Sequence, residues 1–173
     1  PVYAAAVILN PDDPVEGLAD SKTLTAMHRQ RLAIEIRARA AAWKLAWVDA
    51  VEIDRINIYQ ASRLAIRLAI EGLSPQPDYL LVDALTIDLP LPQDAIIKGD
   101  AKVASIAAAS ILAKTARDEW ALLADADYPG YGLARHKGYP TPEHLDALSR
   151  LGPAPLHRRS YAPVMAALQG RLA

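Results

Sequence analysis

AIIKGDAKVASIAAASILAKTARD, residues 95–118, is the stretch whose reading decides the fold. It opens on a short apolar run, Ala95-Ile96-Ile97, with the character of a buried strand. The run breaks at Lys98-Gly99-Asp100 and continues as an Ala-rich helix of about four turns. A strand that feeds a polar turn and then a helix N-terminus is where open α/β sheets place their chemistry. Asp100 thus stands at a strand end and a helix start, beside Lys98 and Lys102. An Asp in front of a helix is most often an N-cap that accepts backbone N–H bonds, so the local pattern alone favours capping over catalysis. The row Ala107-Ala108-Ala109-Ser110 lets this helix lie close to its neighbours, and Lys114, Arg117 and Asp118 form a polar strip further along it.

The elements on either side fit one α/β domain, which 173 residues are long enough to build. Val2–Leu9 is apolar throughout, as a strand covered on both faces would be. Such a strand needs neighbours on both sides, and sequence upstream of Pro1 is expected to be missing. After the turn-rich Asn10–Gly17, Thr25 is a candidate cap for a helix over 26–42, with Met27, Leu32, Ile34 and Ile36 on its core side. Trp43–Val51 alternates like a strand, and 53–73 is helical in pattern, with Ile58, Ala61, Leu64, Ala65 and Leu68 at helical spacing. Tyr79–Val82 is a further apolar strand followed directly by Asp83. Beyond Asp127 the chain is rich in loops, with one helix capped by Thr141, begun by Pro142 and stopped at Gly152-Pro153, and a short final helix. The expected organisation is an α/β core over 1–127 and a helical, substrate-binding C-terminal part over 128–173.

Composition narrows the function. With 52% apolar and 23% charged residues the chain is globular, and no apolar run approaches the ~18 residues of a membrane span. No secretory leader is visible, and the absence of Cys excludes disulfides and thiolate metal sites, leaving oxygen and imidazole as ligands. A cytoplasmic protein fits this. The net charge of −1 means that any nucleic acid must be held by a local basic face. Arg135, Lys137, Arg150, Arg158, Arg159 and Arg171 supply one in the C-terminal part, opposed by Glu143 and Asp146.

Asp83 and Asp100 each follow an apolar strand. If those strands are neighbours, both carboxylates emerge on one rim, where their repulsion is relieved by a hard divalent cation. Mg²⁺ takes few carboxylates, several waters and phosphate oxygens, the coordination of a phosphodiester-cleaving site. Ordinary strand-end turn residues would present the same pattern.

The segments LADSKTL (Leu18–Leu24), NIYQA (Asn57–Ala61), LLVDA (Leu80–Ala84), Ile96–Asp118, YPGYGLARHKGYPTPEHL (Tyr128–Leu145) and LGPAPLHRRSYAPV (Leu151–Val164) resemble bacterial ribonuclease HII in order and spacing. The likeness covers nearly the whole chain. It implies an RNase H-like fold: a mixed central sheet flanked by helices, with a helical C-terminal part. It also implies an endonuclease that cuts RNA in RNA–DNA hybrids and acts 5′ of single ribonucleotides embedded in duplex DNA, leaving a 3′-hydroxyl and a 5′-phosphate, as ribonucleotide excision repair requires. Asp83 and Asp100 match two of the family's four metal-binding, catalytic carboxylates, which hold Mn²⁺ or Mg²⁺. Tyr139 matches the tyrosine that packs on the sugar at the RNA–DNA junction. Lys22, Lys98, Lys114 and Arg117 fall in motifs facing the substrate channel, and Arg158 and Arg159 are similar candidates for phosphate contact. Salt-bridge and surface roles compete for each of these. His136 and His157 are read as structural hydrogen-bonders, Asp118 as partner to a nearby base, and the chain as a monomer.

One departure is large. The family's Asp-Glu pair and Gly-Arg-Gly motif would end just before Pro1, and neither is present. Two of four ligands, the 2′-hydroxyl-reading loop and the central strand are expected to be lost with them. A chain truncated there is expected to cleave weakly or not at all. The competing reading is a remnant that binds hybrid without cutting it, and a weaker one is a metal-dependent phosphotransferase acting on substrates without RNA.

Overall fold

In the computed structural model, which describes residues 1–170, the sequence folds as strands alternating with helices: β1 (Val2–Ile8), α1 (Ala26–Arg39), β2 (Ala42–Val48), α2 (Ala50–Glu71), β3 (Leu80–Asp83), β4 (Gln93–Ile96), α3 (Ala104–Asp127), α4 (Leu133–His136), α5 (Pro142–Leu151) and α6 (Ala162–Leu168). Arg171 of the basic tail lies outside the described residues. The chain divides into two compact units, one of residues 3–47 and 62–115, the other of residues 1–2, 48–61 and the chain from 116 on.

The first unit is organised by α1 against α3. Leu32, Ala33 and Ile36 of α1 pack with Ala108, Ile111 and Leu112 of α3 and with Val15 in one cluster of buried residues. Alanine on α3 removes the bulk that would hold the helices apart, and each fully buried Leu or Ile contributes about 1.5–3 kcal/mol. Met27 and Ile34, expected inward, are 81% and 65% exposed. At about 100° per residue they fall on the side of α1 opposite Leu32 and Ile36. Thr25 caps the helix as expected, its hydroxyl accepting the His28 N–H at 3.2 Å.

β3 pairs in parallel with β4, Asp83 standing opposite Ile96, while β1 pairs with β2. Among the described residues β1 and β3 have no other strand partners. Between them runs a groove of about 480 Å³, walled by Tyr3–Leu9 and Leu80–Asp83 and floored by Ile106, Ala109 and Ala113 of α3. The described strands therefore form two separate two-stranded sheets and not one continuous sheet. β1 is not covered on both faces as its apolar run suggests: only Ala4 is buried, and the rest of the strand is half-buried.

In the second unit Ala124, Tyr131, Leu133 and Ala147 form the core, and the Tyr131 hydroxyl donates to the Gly152 carbonyl at 2.6 Å. Thr141 caps α5, accepting the His144 N–H at 3.2 Å, with Pro142 at the first turn. The pattern at 53–73 predicts an unbroken helix, but α2 kinks at Asn57 (φ 69°, ψ 164°), whose side-chain carbonyl restarts the helix by accepting the Gln60 N–H at 3.1 Å. Beyond the kink, where α2 from residue 62 on belongs to the first unit, the buried seam is Ala61, Ala65, Ala69 and Ile70, while Ile58 and Leu68 are exposed.

Candidate active site

The Lys98-Gly99-Asp100 turn does not run directly into α3. Lys98 adopts a left-handed conformation (φ 57°, ψ 45°), and a single 3₁₀ turn over Gly99–Ala101 follows. The Lys102 and Val103 amides donate to the Gly99 carbonyl at 3.0 and 2.8 Å before α3 begins at Ala104. Asp100 is therefore not the cap of the long helix. Its carboxylate is buried, at 6% residue exposure, and its Oδ2 accepts from Lys22 Nζ at 3.0 Å. Asp83, at the exposed end of β3, accepts the Gly99 N–H on Oδ1 at 2.8 Å. One strand end and one turn so place both acids around the same peptide, and the Lys22 ammonium feels both: its pKa is raised first by the Asp100 hydrogen bond, with smaller contributions from Asp20 and Asp83. Lys22 stays charged through the neutral range.

The loop that brings Lys22 here is braced from below. Buried Ser21 shares a 2.9 Å hydroxyl hydrogen bond with Ser110 of α3, and Arg29 of α1 donates to the Ser21 and Leu24 carbonyls at 3.0 and 2.7 Å. Asp20 accepts the Lys22 N–H at 2.9 Å, an Asx turn that aims the chain toward Asp100. The Lys22 side chain is 75% exposed, so its ion pair with Asp100 is worth little to stability and matters for charge placement.

Gly99 is required by contact. A Cβ on it would lie 2.6 Å from Ile106 Cδ1, 3.3 Å from Ile106 Cγ2 and 3.4 Å from Asp83 Oδ1. Gly99→Ala should cost about 1 kcal/mol, because the tip of Ile106 can swing aside. The same methyl presses on the Asp83 carboxylate, so divalent-ion affinity should fall about tenfold, as when a group that orients a ligand is disturbed. Thermal melts and Mn²⁺ titration of the variant check both.

The remaining sequence candidates are divided between the two units. Lys98 is exposed on the turn and Lys114 is half-buried on α3, both in the first unit. Arg117, Tyr139, Arg158 and Arg159 belong to the second unit. There the Arg117 guanidinium lies over the Tyr139 ring, 4.6 Å from its centroid, and donates to the Lys137 carbonyl at 3.0 Å. Lys137 takes a positive φ of 52°, which a side chain disfavours and the loop's bonds must hold, while Gly138 takes 77°, which glycine adopts freely. Arg117, Lys137 and Arg158 line a cavity of about 240 Å³ with Trp120 and Tyr161. Burial and the neighbouring Arg117 guanidinium lower the pKa of Arg158. The backbone leading to Arg159 is fixed by Asp54, which accepts the Arg159 and Ser160 amides at 2.7 and 2.9 Å. Sequence reading passed over Asp54, since an acid on a helix gives no sign of a loop partner more than a hundred residues away.

As a donor set for a divalent ion, Asp83 and Asp100 fit in part. Each carboxylate spends one oxygen on a protein donor and keeps one, and Mg²⁺-type ions accept one or two carboxylates completed by water and phosphate. Among the described residues no group of three or more His, Asp or Glu is arranged to hold a metal.

Comparison with known proteins places the geometry in context. A family model described as ribonuclease HII matches residues 1–164. Ribonuclease HII of Solibacter usitatus is 57% identical over 165 residues, which are 95% of this chain and 72% of that protein. Ribonuclease HII of Laribacter hongkongensis is 58% identical over 166 residues, 94% of this chain and 84% of its own length. In the Myxococcus xanthus protein of the same name the matched 170 residues, 56% identical, cover 58% of the whole. The crystal structure of ribonuclease H2 from Pyrococcus horikoshii superposes with a TM-score of 0.77 over 97% of both chains at 20% identity, a likeness of fold.

Proposed function

This chain belongs to the ribonuclease HII family, and from that membership we propose that it is an endonuclease hydrolysing RNA in RNA–DNA hybrids, with Asp83 and Asp100 as metal-binding catalytic carboxylates. The observation that carries the reading is the bond from the Gly99 amide, next to Asp100 in the turn, to the Asp83 carboxylate, together with a Lys22 ammonium that bonds Asp100 and feels the charge of Asp83. A family divalent ion, Mg²⁺ or Mn²⁺, supplies Lewis-acid polarisation of the phosphate and an activated water when bound. The two-ion mechanism and incision 5′ of a lone ribonucleotide in duplex DNA are part of the proposal.

The chain's own residues divide the remaining work. Asp83 and Asp100 offer one free carboxylate oxygen each to a cation. The Lys22 ammonium, fixed at Asp100, faces an incoming phosphate. Tyr139 offers an exposed ring, stiffened by Arg117, for a sugar or base, and Arg117, Arg158 and Arg159 offer positive charge to the backbone of the duplex. Lys98 and Lys114 are assigned to phosphate contact on the same grounds. The chain is proposed to work as a monomer on hybrid and on duplex DNA with embedded ribonucleotides, in cytoplasmic ribonucleotide excision repair; no helix of the described residues is long and apolar enough to cross a membrane.

A second reading has an observation in its favour: among the described residues no three acids are arranged to hold a metal, and on that reading the chain binds hybrid and leaves it intact. The test offers the protein, with Mn²⁺, an RNA–DNA hybrid, a DNA duplex with one ribonucleotide, and an all-DNA duplex. Endonuclease function predicts products from the first two ending in a 3′-hydroxyl and none from the third. Binding without products favours the second reading, and equal cutting of all-DNA duplex contradicts both.

A further inference from the structure

Three histidines of the second unit, His136, His144 and His157, are 8–9% exposed and linked ring to ring. His136 and His144 stack with centroids 4.3 Å apart, and the Nε2 atoms of His144 and His157 are 3.2 Å apart. The hydrogen bonds fix the middle ring. The Tyr139 carbonyl can only accept, so His144 Nδ1, 3.0 Å away, carries the hydrogen. In the neutral ring Nε2 is then an acceptor, so His157 Nε2, 3.2 Å away, must carry a hydrogen; His157 Nδ1, which lies 3.0 Å from the Ala154 amide and 3.2 Å from the Ala154 carbonyl, is then the acceptor of the amide hydrogen. His136 is spent likewise: Nδ1 accepts the Gly138 amide at 3.2 Å and Nε2 donates to the Tyr131 carbonyl at 2.7 Å. With every ring nitrogen bonded inside the protein, the cluster is no chelating site, in keeping with the absence of a three-ligand metal group among the described residues.

These bonds end on one short loop. Lys137 and Gly138 hold left-handed backbone, and the Tyr139 carbonyl takes two hydrogens, from the Thr141 amide at 2.8 Å and from His144. Tyr139 itself is 49% exposed, its ring presented to solvent on a backbone pinned from beneath. We propose that His144 is a positioning residue for Tyr139: its Nδ1–H fixes the Tyr139 peptide, and His157 and His136 hold the imidazole at the angle this needs. The inference rests on the reading that Tyr139 touches the hybrid.

Two substitutions separate positioning from mere packing, because Asn places its amide near the Nδ1 position and Gln near the Nε2 position. His144→Asn keeps a donor for the Tyr139 carbonyl and gives up His157, whereas His144→Gln keeps a partner for His157 and gives up Tyr139. In titrations of a fluorescent RNA–DNA hybrid, His144→Gln should raise Kd about three- to tenfold, the worth of one lost hydrogen bond. His144→Asn should stay within about twofold of the parent, with comparable melting temperatures for the two variants. Equal shifts for both, or a shift for Asn alone, overturn the proposal. Tyr139→Ala run in parallel keeps the failures apart: no loss of binding there refutes the reading of Tyr139, while a loss there and none in His144→Gln refutes the positioning role alone. The parent protein gives a readout that no folding defect can obscure, the imidazole ¹⁵N shifts. His144 should show the Nδ1–H tautomer at neutral pH, and an Nε2–H tautomer contradicts the inference.

Discussion

Asp100→Asn should lower Mn²⁺-dependent cleavage of an RNA–DNA hybrid by at least about a hundredfold, beyond the 10–100-fold that loss of an outer, ligand-orienting group brings. Asn matches Asp in size, so the buried site keeps its packing, and its amide oxygen can still accept from Lys22 Nζ. What it removes is the charge, and with it the attraction for a divalent ion at a rim where Asp83 provides the other carboxylate. Because Lys22 is largely exposed and remains hydrated once its partner is neutral, the melting temperature should move only a few degrees. Initial rates at saturating hybrid, paired with a thermal melt of each protein, check the two halves of the expectation. Cleavage at the parent rate would remove Asp100 from the chemistry.

Leu112→Ala is the largest expected stability effect. Leu112 is fully buried on α3 among Leu32, Ile36 and Ile111, and the side chains around it belong to three separate stretches of chain. A close-packed wall of this kind collapses poorly into a vacated space, and loss of about 2–5 kcal/mol follows from transfer and cavity terms together. For a chain of this length that is a fall in Tm of about 5–20 °C. The helix also carries Ser110, the partner of Ser21 beneath the Lys22 loop, so the variant should lose divalent-ion affinity at temperatures where it is still mostly folded. Leu122→Ala on the same helix, at a residue 50% exposed, is the control and should shift Tm by no more than a degree or two.

Much of this architecture is local and could be read from the chain. Thr25 and Thr141 mark helix starts because a hydroxyl in that position satisfies an amide that otherwise has no partner, and the apolar run ending at Asp83 marks a strand end. The run before Lys98 is not the buried strand its composition suggests, since β4 is Gln93–Ile96 with Asp94 and Ala95 exposed and Ile97 lies beyond it, 71% exposed. Asp100 shows where local reading stops. Its helix-capping pattern was overridden by a left-handed Lys98 and a 3₁₀ turn, which hand its carboxylate to a lysine 78 residues away. Gly99 is similar: nothing in KGD reveals that Ile106 and Asp83 will crowd its missing Cβ. On α1, composition misled about Met27 and Ile34, since an apolar residue on the outer stripe has the same sequence signature as one on the inner. The histidine chain was half legible, His136 and His157 as structural hydrogen-bonders. The central ring, His144, acquires its role only when a loop and a helix bring three segments together. The motifs that resemble ribonuclease HII single out Asp83, Asp100 and Tyr139 as candidates without any of this geometry, and the geometry supplies their surroundings.

Manganese binding by the parent, Asp83→Asn, Asp100→Asn and the double variant, followed by the EPR signal of free Mn²⁺, tests the shared site most directly. A single ion held by both carboxylates predicts that either substitution raises Kd about tenfold or more and that the second adds little to the first, a coupling of more than about 1 kcal/mol. Independent, additive losses, or a Kd that none of the three variants moves, would contradict a common site for Asp83 and Asp100.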